Sequence, residues 1–363
     1  MTILFVIILT VITIIYWISR TRAFGQKPSG ERLQRLKQSP HYKNGTFQNP
    51  QPTVLGIKGN AWTVMRRFFK RDPRKKPAHA LPVVHPTQWT RPNDVLAVTW
   101  FGHSSYLLQI EGLNILVDPV FSERTSPFTW LGNKNFEGTG DFGVKDLPKL
   151  DVVIITHDHY DHLDYHTILQ LVPRAPRFIT PLGVGAHLES WGIPSSDIQE
   201  LDWWQHIDIQ PGMQLTATPA RHFSGRAFNR NNTLWTSYVM KTSRCNLFIG
   251  GDSGYGAHFK EIGEKMGPFD LAILESGQYN EFWPDIHMMP EETVHAAADL
   301  QAKALLPVHW GKYVLSMHPW EEPPERVSAE IKQYNIELLT PMIGETIVLD
   351  QPNKTGAWWS RLK

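Results

Sequence analysis

The nine residues Thr156 to Asp164, THDHYDHLD, hold His157, His159, Asp161 and His162: three imidazoles and one carboxylate inside six positions. Core packing has little use for so many polar donors in so short a span, whereas a divalent cation does. Four residues elsewhere repeat the chemistry. His222 follows LTATPAR, Asp252 follows NLFIGG, His309 follows ALLPV and Asp118 follows NILV, so each comes after an apolar, strand-like run. A turn leaving a strand presents its side chains at a sheet edge, where a rigid scaffold holds ligands with little freedom. The donors are imidazole and carboxylate without thiolate, which suits Zn²⁺ and also admits Mn²⁺ or Fe. The single cysteine, Cys245, rules out an internal disulfide and any cysteine-based zinc site.

The elements that must position these groups begin near Asp94, where the chain turns to short apolar runs separated by Gly, Pro, Asn and Asp. Strands are expected at Val95 to Phe101, Tyr106 to Ile110, Asn114 to Val117, Val152 to Thr156, Leu215 to Pro219, Ser237 to Lys241, Asn246 to Gly250, Leu271 to Leu274, Ala304 to Pro307 and Thr346 to Leu349. Helical stretches fall at Tyr165 to Leu171, Gly183 to Trp191, Gly256 to Met266, Pro290 to Leu300 and Pro319 to Gln333. Pro290 followed by Glu291 and Glu292 makes a good helix start. Many strands with interspersed helices and no clean βαβ alternation imply an α/β fold, a mixed-sheet sandwich covered by helices.

Three segments are expected: an anchor over 1–19, a basic Pro-rich arm over 20–93 and a catalytic body over 94–363. Thr2 to Ser19 carries no charge and, at 1.5 Å per residue, reaches roughly 27 Å as a helix, enough for a thin bilayer. Tyr16 and Trp17 fit an interfacial belt, and Arg20 and Arg22 follow. No basic residue precedes the run and SRTRAFG is a poor cleavage site, so an uncleaved single-pass anchor is favoured over a signal peptide. The following positive charge places the body on the cytoplasmic side. The formal net charge of +1 hides an asymmetry: Arg20 to Lys76 has 15 Lys or Arg against two acids, which leaves 21 bases and 33 acids elsewhere. A basic arm ahead of an acidic body points to an anionic surface. An acidic body around the ligands argues against nucleic acid as the substrate. QNPQPT, RDPRKKP and LPVVHPT interrupt long elements, so the arm reads as extended and loosely structured. Within it Ala61 to Arg71 forms a short amphipathic helix with Trp62, Met65, Phe68 and Phe69 on one face. That pattern fits either an interfacial helix on anionic lipid or a helix packed on the body with its basic face solvated.

HDHYDH matches the H-x-H-x-D-H signature of the metallo-β-lactamase fold, and the later His, Asp and His follow in the family's order. The chain resembles in particular the branch of N-acylphosphatidylethanolamine-hydrolysing phospholipases D. WFGHSSYLLQIEGLNILVDPVFSER, THDHYDHLD, GGDSGY, HMMPEETVHAA and PVHWGKY carry the likeness, which spans roughly Asp94 to Leu349. The resemblance implies an αββα sandwich of the metallo-β-lactamase type with two Zn²⁺. His157, His159 and His222 would bind one, Asp161, His162 and His309 the second, and Asp252 would bridge them. Two cations supply a low-pKa water and an electrostatic clamp for a phosphodiester, and Asp161 would also orient that water or accept its proton. The resemblance places His287 near the substrate phosphate. Asp118 would hold a ligand imidazole or only shape an Asp-Pro turn, and His103 would lie near the metals or only cap a turn. Trp203, Trp204, Phe282, Trp283 and Trp310 would line an acyl-chain groove or belong to the core. The implied reaction is phospholipase D-type release of N-acylethanolamine and phosphatidic acid from a phospholipid, and relatives can form homodimers. A lactonase or another hydrolase on the same site is the nearest alternative, and a membrane-tethered metal-binding protein without catalysis stands further off.

Overall fold

The computed structural model describes residues 2–19, 21–87, 89, 95–174, 176–226, 229–351 and 356–362. Two seven-stranded sheets face each other. The first runs, in spatial order, Thr346–Val348, Ala97–Trp100, Tyr106–Ile110, Leu113–Val117, Val152–Ile154, Arg177–Pro181 and Ile198–Leu201. The second runs Glu337–Leu338, Ala304–Val308, Leu271–Glu275, Asn246–Ile249, Ser237–Lys241, Met213–Thr218 and His206–Gln210. In each, meander strands pair antiparallel and the strands joined by crossovers pair parallel. Tyr106–Ile110, Leu271–Glu275 and Ala304–Val308 are buried along their whole length. Strands covered on both faces need continuous apolar runs rather than alternation, and that is how they read.

Trp100, Val117, Ile154, Leu215, Tyr238, Ile273 and Leu306 belong to the cluster between the sheets. Outside the first sheet, Leu163, Ile168 and Leu188 pack the helices Tyr165–Leu171 and Gly185–Ser190 against Val153 and Phe178. Outside the second, Phe259, Ile262, Val294, Ala297 and Val327 seat the helices Ala257–Met266, Pro290–Asp299 and Glu322–Glu330 on Phe248, Ala272 and Leu305. The architecture is the expected αββα sandwich. Strands Arg177–Pro181, Ile198–Leu201, His206–Gln210 and Glu337–Leu338 were not anticipated, because polar residues interrupt each of them.

The arm departs from expectation. It is not a loose strap: Gly30–Gln38 is a helix, Arg32 Nε lies 2.8 Å from Glu200 Oε2, and Arg32 also pairs with Glu189. Leu36 and Phe47 have no exposed surface and join Leu182, Trp203, Ala220, Leu234 and Trp235 in one cluster. Proline and charge limit the length of the arm's elements, but these apolar side chains still find a complementary face on the body. The expected boundary at Asp94, and Arg20 at the start of the arm, lie outside the described residues. Thr2–Ser19 is helical. Among the described residues no helix is long and apolar enough to cross a membrane, so the single-pass anchor, whose Met1 is likewise outside them, is not established by the fold. Phe47→Ala should cost about 3–5 kcal/mol, because a fully buried phenyl leaves a cavity. Urea denaturation of the full chain reads this, and an unchanged midpoint would mean that the arm is not part of the folded unit.

Candidate metal centre

The donors converge where strand ends of both sheets meet. Val152–Ile154 leads into the THDHYDHLD loop, Asn246–Ile249 into Asp252 and Ala304–Val308 into His309. Three groups form, each with ligand atoms within 4.8 Å of one another: His157, His159, His222 and Asp252; His103, Asp161, His162 and His309; and Asp252, Glu275, His287 and His309. Asp252 joins them. Its Oδ2 lies 3.2 Å from His162 Nε2, 3.7 Å from His222 Nε2 and 3.8 Å from His157 Nε2, and its Oδ1 lies 3.4 Å from His309 Nε2. All seven residues expected as ligands are therefore brought together. His103 is added: its Nε2 sits 2.9 Å from Asp161 Oδ2 and its ring centroid 4.2 Å from that of His309, so it lies among the donors rather than serving only as a turn cap.

The surrounding chain fixes these side chains. Asp118 accepts from Thr156 N at 2.8 Å and from Thr156 Oγ1 at 2.6 Å, and its Oδ2 accepts from His162 Nδ1 at 2.8 Å. That bond sets the His162 tautomer and turns Nε2 to the centre, which decides between the two readings of Asp118. His103, Asp118 and His309 adopt left-handed φ of 54°, 41° and 70°. Such backbone is unfavourable for side-chain-bearing residues and persists where the surroundings over-determine it. Gly251, at φ 59°, is required: a Cβ there would stand 2.8 Å from the Thr156 Cβ.

Four positioning residues escaped the sequence reading. Glu275, at the end of Leu271–Glu275, places Oε2 2.6 Å from His287 Nδ1 and 3.4 Å from His309 Nδ1. Arg226 donates to the carbonyls of Asp158 at 2.8 Å, Leu163 at 2.7 Å and Ala23 at 2.7 Å, which ties the His-rich loop to the start of the arm. Asp158 accepts from Gly225 N at 2.6 Å and Thr233 Oγ1 at 2.9 Å. Asn49 in the arm brackets the His222 backbone, donating to its carbonyl at 2.7 Å and accepting from its N–H at 3.2 Å. These contacts bridge distant parts of the chain and leave no local motif.

The electrostatics fit a cation. Asp252 Oδ1 is buried and accepts no hydrogen bond among the described residues. Ring nitrogens face one another at 2.9 Å between His157 and His159 and at 3.2 Å between His162 and His309. Burial opposes charge on His103, with His309 adding to the effect, and holds it down to about 3. Burial also opposes charge on His309, yet Asp252, Asp161 and Glu275 push it up to about 10. Mutually opposed nitrogens around a desolvated carboxylate are resolved by a divalent cation in their midst, and the donor set matches one.

A cleft of about 400 Å³ opens over the donors, with His159, Asp161, Asp252, His287 and His309 on its floor. Trp283, Ile286, Phe223 and the arm residues Leu55 and Ile57 are among its walls. Of the aromatics considered for a groove, only Trp283 lines this cleft. Trp203 and Trp310 are core, Trp204 packs partly buried beneath Lys265, and Phe282 faces a neighbouring basic recess.

A sandwich of this kind with such a donor cluster defines a metallo-hydrolase, and the sequence matches the family described as a beta-lactamase superfamily domain over residues 113–310. The chain belongs to that superfamily and is a metal-dependent hydrolase of its fold. It is 41% identical over 330 residues to an uncharacterised protein of Mycobacterium tuberculosis, covering 89% of this chain and 88% of that protein. Over 267 residues it is 30% identical to N-acyl-phosphatidylethanolamine-hydrolyzing phospholipase D 1 of Caenorhabditis elegans, covering 69% of this chain and 75% of the relative. A metallo hydrolase from Ignicoccus hospitalis shares the fold, with a TM-score of 0.55 at 19% identity, over 71% of this chain and 100% of its own.

Asp118→Asn should weaken metal binding by about 10- to 100-fold, because it releases the His162 ring. Competition against a chromogenic chelator measures it, and unchanged affinity would show that His162 is held by other contacts.

Proposed function

We propose that this chain is a phosphodiesterase of the phospholipase D type, converting N-acylphosphatidylethanolamine and water into N-acylethanolamine and phosphatidic acid. One observation carries the reading: a floor of metal-donor side chains lies beneath largely apolar walls in a single cleft, so a phosphoryl group and an acyl chain fit it together. The likeness to the nematode phospholipase supports the same choice.

The residues His157, His159, His222, Asp161, His162 and His309, with Asp252 between them, would hold two divalent cations, Zn²⁺ first among them. When bound, these supply a low-pKa water and neutralise charge developing on the phosphoryl oxygens. Asp161, on the cleft floor with Oδ2 2.9 Å from His103 Nε2, orients the attacking water and accepts its proton. The water oxygen bonds to phosphorus while the bond from phosphorus to the ethanolamide oxygen breaks. Burial opposes charge on His287, but the Glu275 carboxylate at its Nδ1 raises its proton affinity above the usual histidine value. His287 is thereby suited to protonate the departing oxygen. Glu275 acts through His287 and positions it.

Access to lipid would come from the N-terminal helix Thr2–Ser19, where Phe5, Ile7, Leu9 and Ile12 are exposed, with the body on the cytoplasmic side. His287→Ala should retain its metal and lower turnover by about 10²- to 10⁴-fold; loss of metal instead would reassign it as a ligand. In vesicles of N-acylphosphatidylethanolamine, wild-type protein should release N-acylethanolamine and Asp252→Asn should not. Hydrolysis confined to soluble lactones would favour a lactonase, and metal-dependent melting with no hydrolysis of any ester or diester would favour a binding protein. Removal of residues 1–19 should spare dispersed substrate and weaken action on vesicles. Equal loss on both would make that segment part of the fold.

A further inference from the structure

The helix Ala61–Phe69 turns its apolar side chains away from the protein. Asn60 caps it by accepting from Trp62 N at 2.8 Å. Val64 is buried, yet Trp62 is 67% exposed, Phe69 76%, Met65 46% and Phe68 39%. The body holds this segment through polar contacts. Lys58 N donates to Phe282 O at 2.7 Å, Lys58 Nζ lies 3.0 Å from Asp285 Oδ1, and Arg67 pairs with Glu281 while lying 5.2 Å from the Phe282 ring centroid. Upstream, Val54 and Ile57 continue the exposed apolar strip, and Leu55 and Ile57 line the catalytic cleft. The packed-helix reading of this segment is therefore not what forms: its aromatic face is outside.

The rim of the strip is cationic. Arg66, Lys70 and Arg71 are exposed and enter no ion pair with the described residues. Lys70 and Arg71 also border a recess of about 600 Å³ shared with Arg67, Arg74 and Lys75. The acids there are already engaged: Asp72 with Arg74 at 3.3 Å, Glu322 with Arg326 at 3.0 Å, and Glu281 with Arg67. Exposed aromatics beside unpaired Lys and Arg, on a short helix lying along the surface, match an anionic lipid interface. A second copy is a poor occupant, because a two-fold interface would set the same basic rim against itself.

We propose that the Ala61–Phe69 helix and its basic rim dock onto an anionic phospholipid bilayer, a contact separate from the N-terminal helix, and that this places the cleft mouth at the lipid surface. The docking goes beyond the hydrolase reading, since it requires nothing of the reaction catalysed. It is tested on the full chain carrying Cys245→Ser and Phe69→Cys, labelled with an environment-sensitive fluorophore and reconstituted with phosphatidylcholine vesicles with or without phosphatidylglycerol. The expected result is a blue-shifted emission, quenched by spin-labelled acyl chains, with phosphatidylglycerol only. High salt or the added Lys70→Glu and Arg71→Glu pair should abolish it. A label at Trp62→Cys reads the same face independently. Water-like emission from both labels in both vesicle types overturns the proposal, as does equal insertion with and without anionic lipid. A blue shift that grows with protein concentration in the absence of vesicles also overturns it, by assigning the face to a second copy. If the label inserts but no diester is hydrolysed, the docking stands and the reaction assignment falls.

Discussion

A buried carboxylate surrounded by imidazoles is the constraint on which the rest of the structure depends. Asp252 is 4% exposed, and His157, His162, His222 and His309 crowd its two oxygens. Removing that much charge and hydrogen-bonding capacity from water is unfavourable unless a cation completes the arrangement. The geometry must also be held against relaxation. Strand ends from both sheets fix the backbones, Asp118 and Glu275 fix ring orientations, and left-handed residues at His103, Asp118 and His309 turn the chain sharply enough to aim the side chains inward. The two-sheet core is what makes those turns rigid.

The arm enlarges this picture. Leu36 and Phe47 seat it in an apolar cluster, after which the chain passes the metal centre closely enough for Asn49 to bracket His222. Arg221 next to that histidine returns the contact, donating to Pro52 O at 2.9 Å and Thr53 Oγ1 at 3.2 Å. Leu55 and Ile57 then wall the cleft, and the exposed helix follows. One continuous segment thus links the surface that meets the surroundings, the mouth of the cleft and a donor of the metal centre. Arg226 makes a second such link, from Ala23 to the His-rich loop.

The cluster of metal donors was legible in the sequence because dense ligand chemistry is local. His157, His159, Asp161 and His162 announce themselves in six positions, and His222, Asp252 and His309 follow apolar strands that are largely buried and easily seen. Strands with polar interruptions, such as HIDIQ at His206–Gln210, leave no such trace. Nor do side chains whose role arises only on folding: Glu275 reads as the last residue of an apolar strand, Asn49 as a loop residue and Arg226 as one more base. The arm misled because proline and charge content reports element length, not whether a few apolar anchors dock.

Elemental analysis of the purified full chain, with protein quantified by amino-acid analysis, decides whether these donors hold the two cations proposed for them. Two divalent cations per chain, mainly zinc, are expected, with their joint loss in Asp252→Asn, since that carboxylate lies between both groups. Less than one cation per chain after saturation with zinc would contradict that proposal.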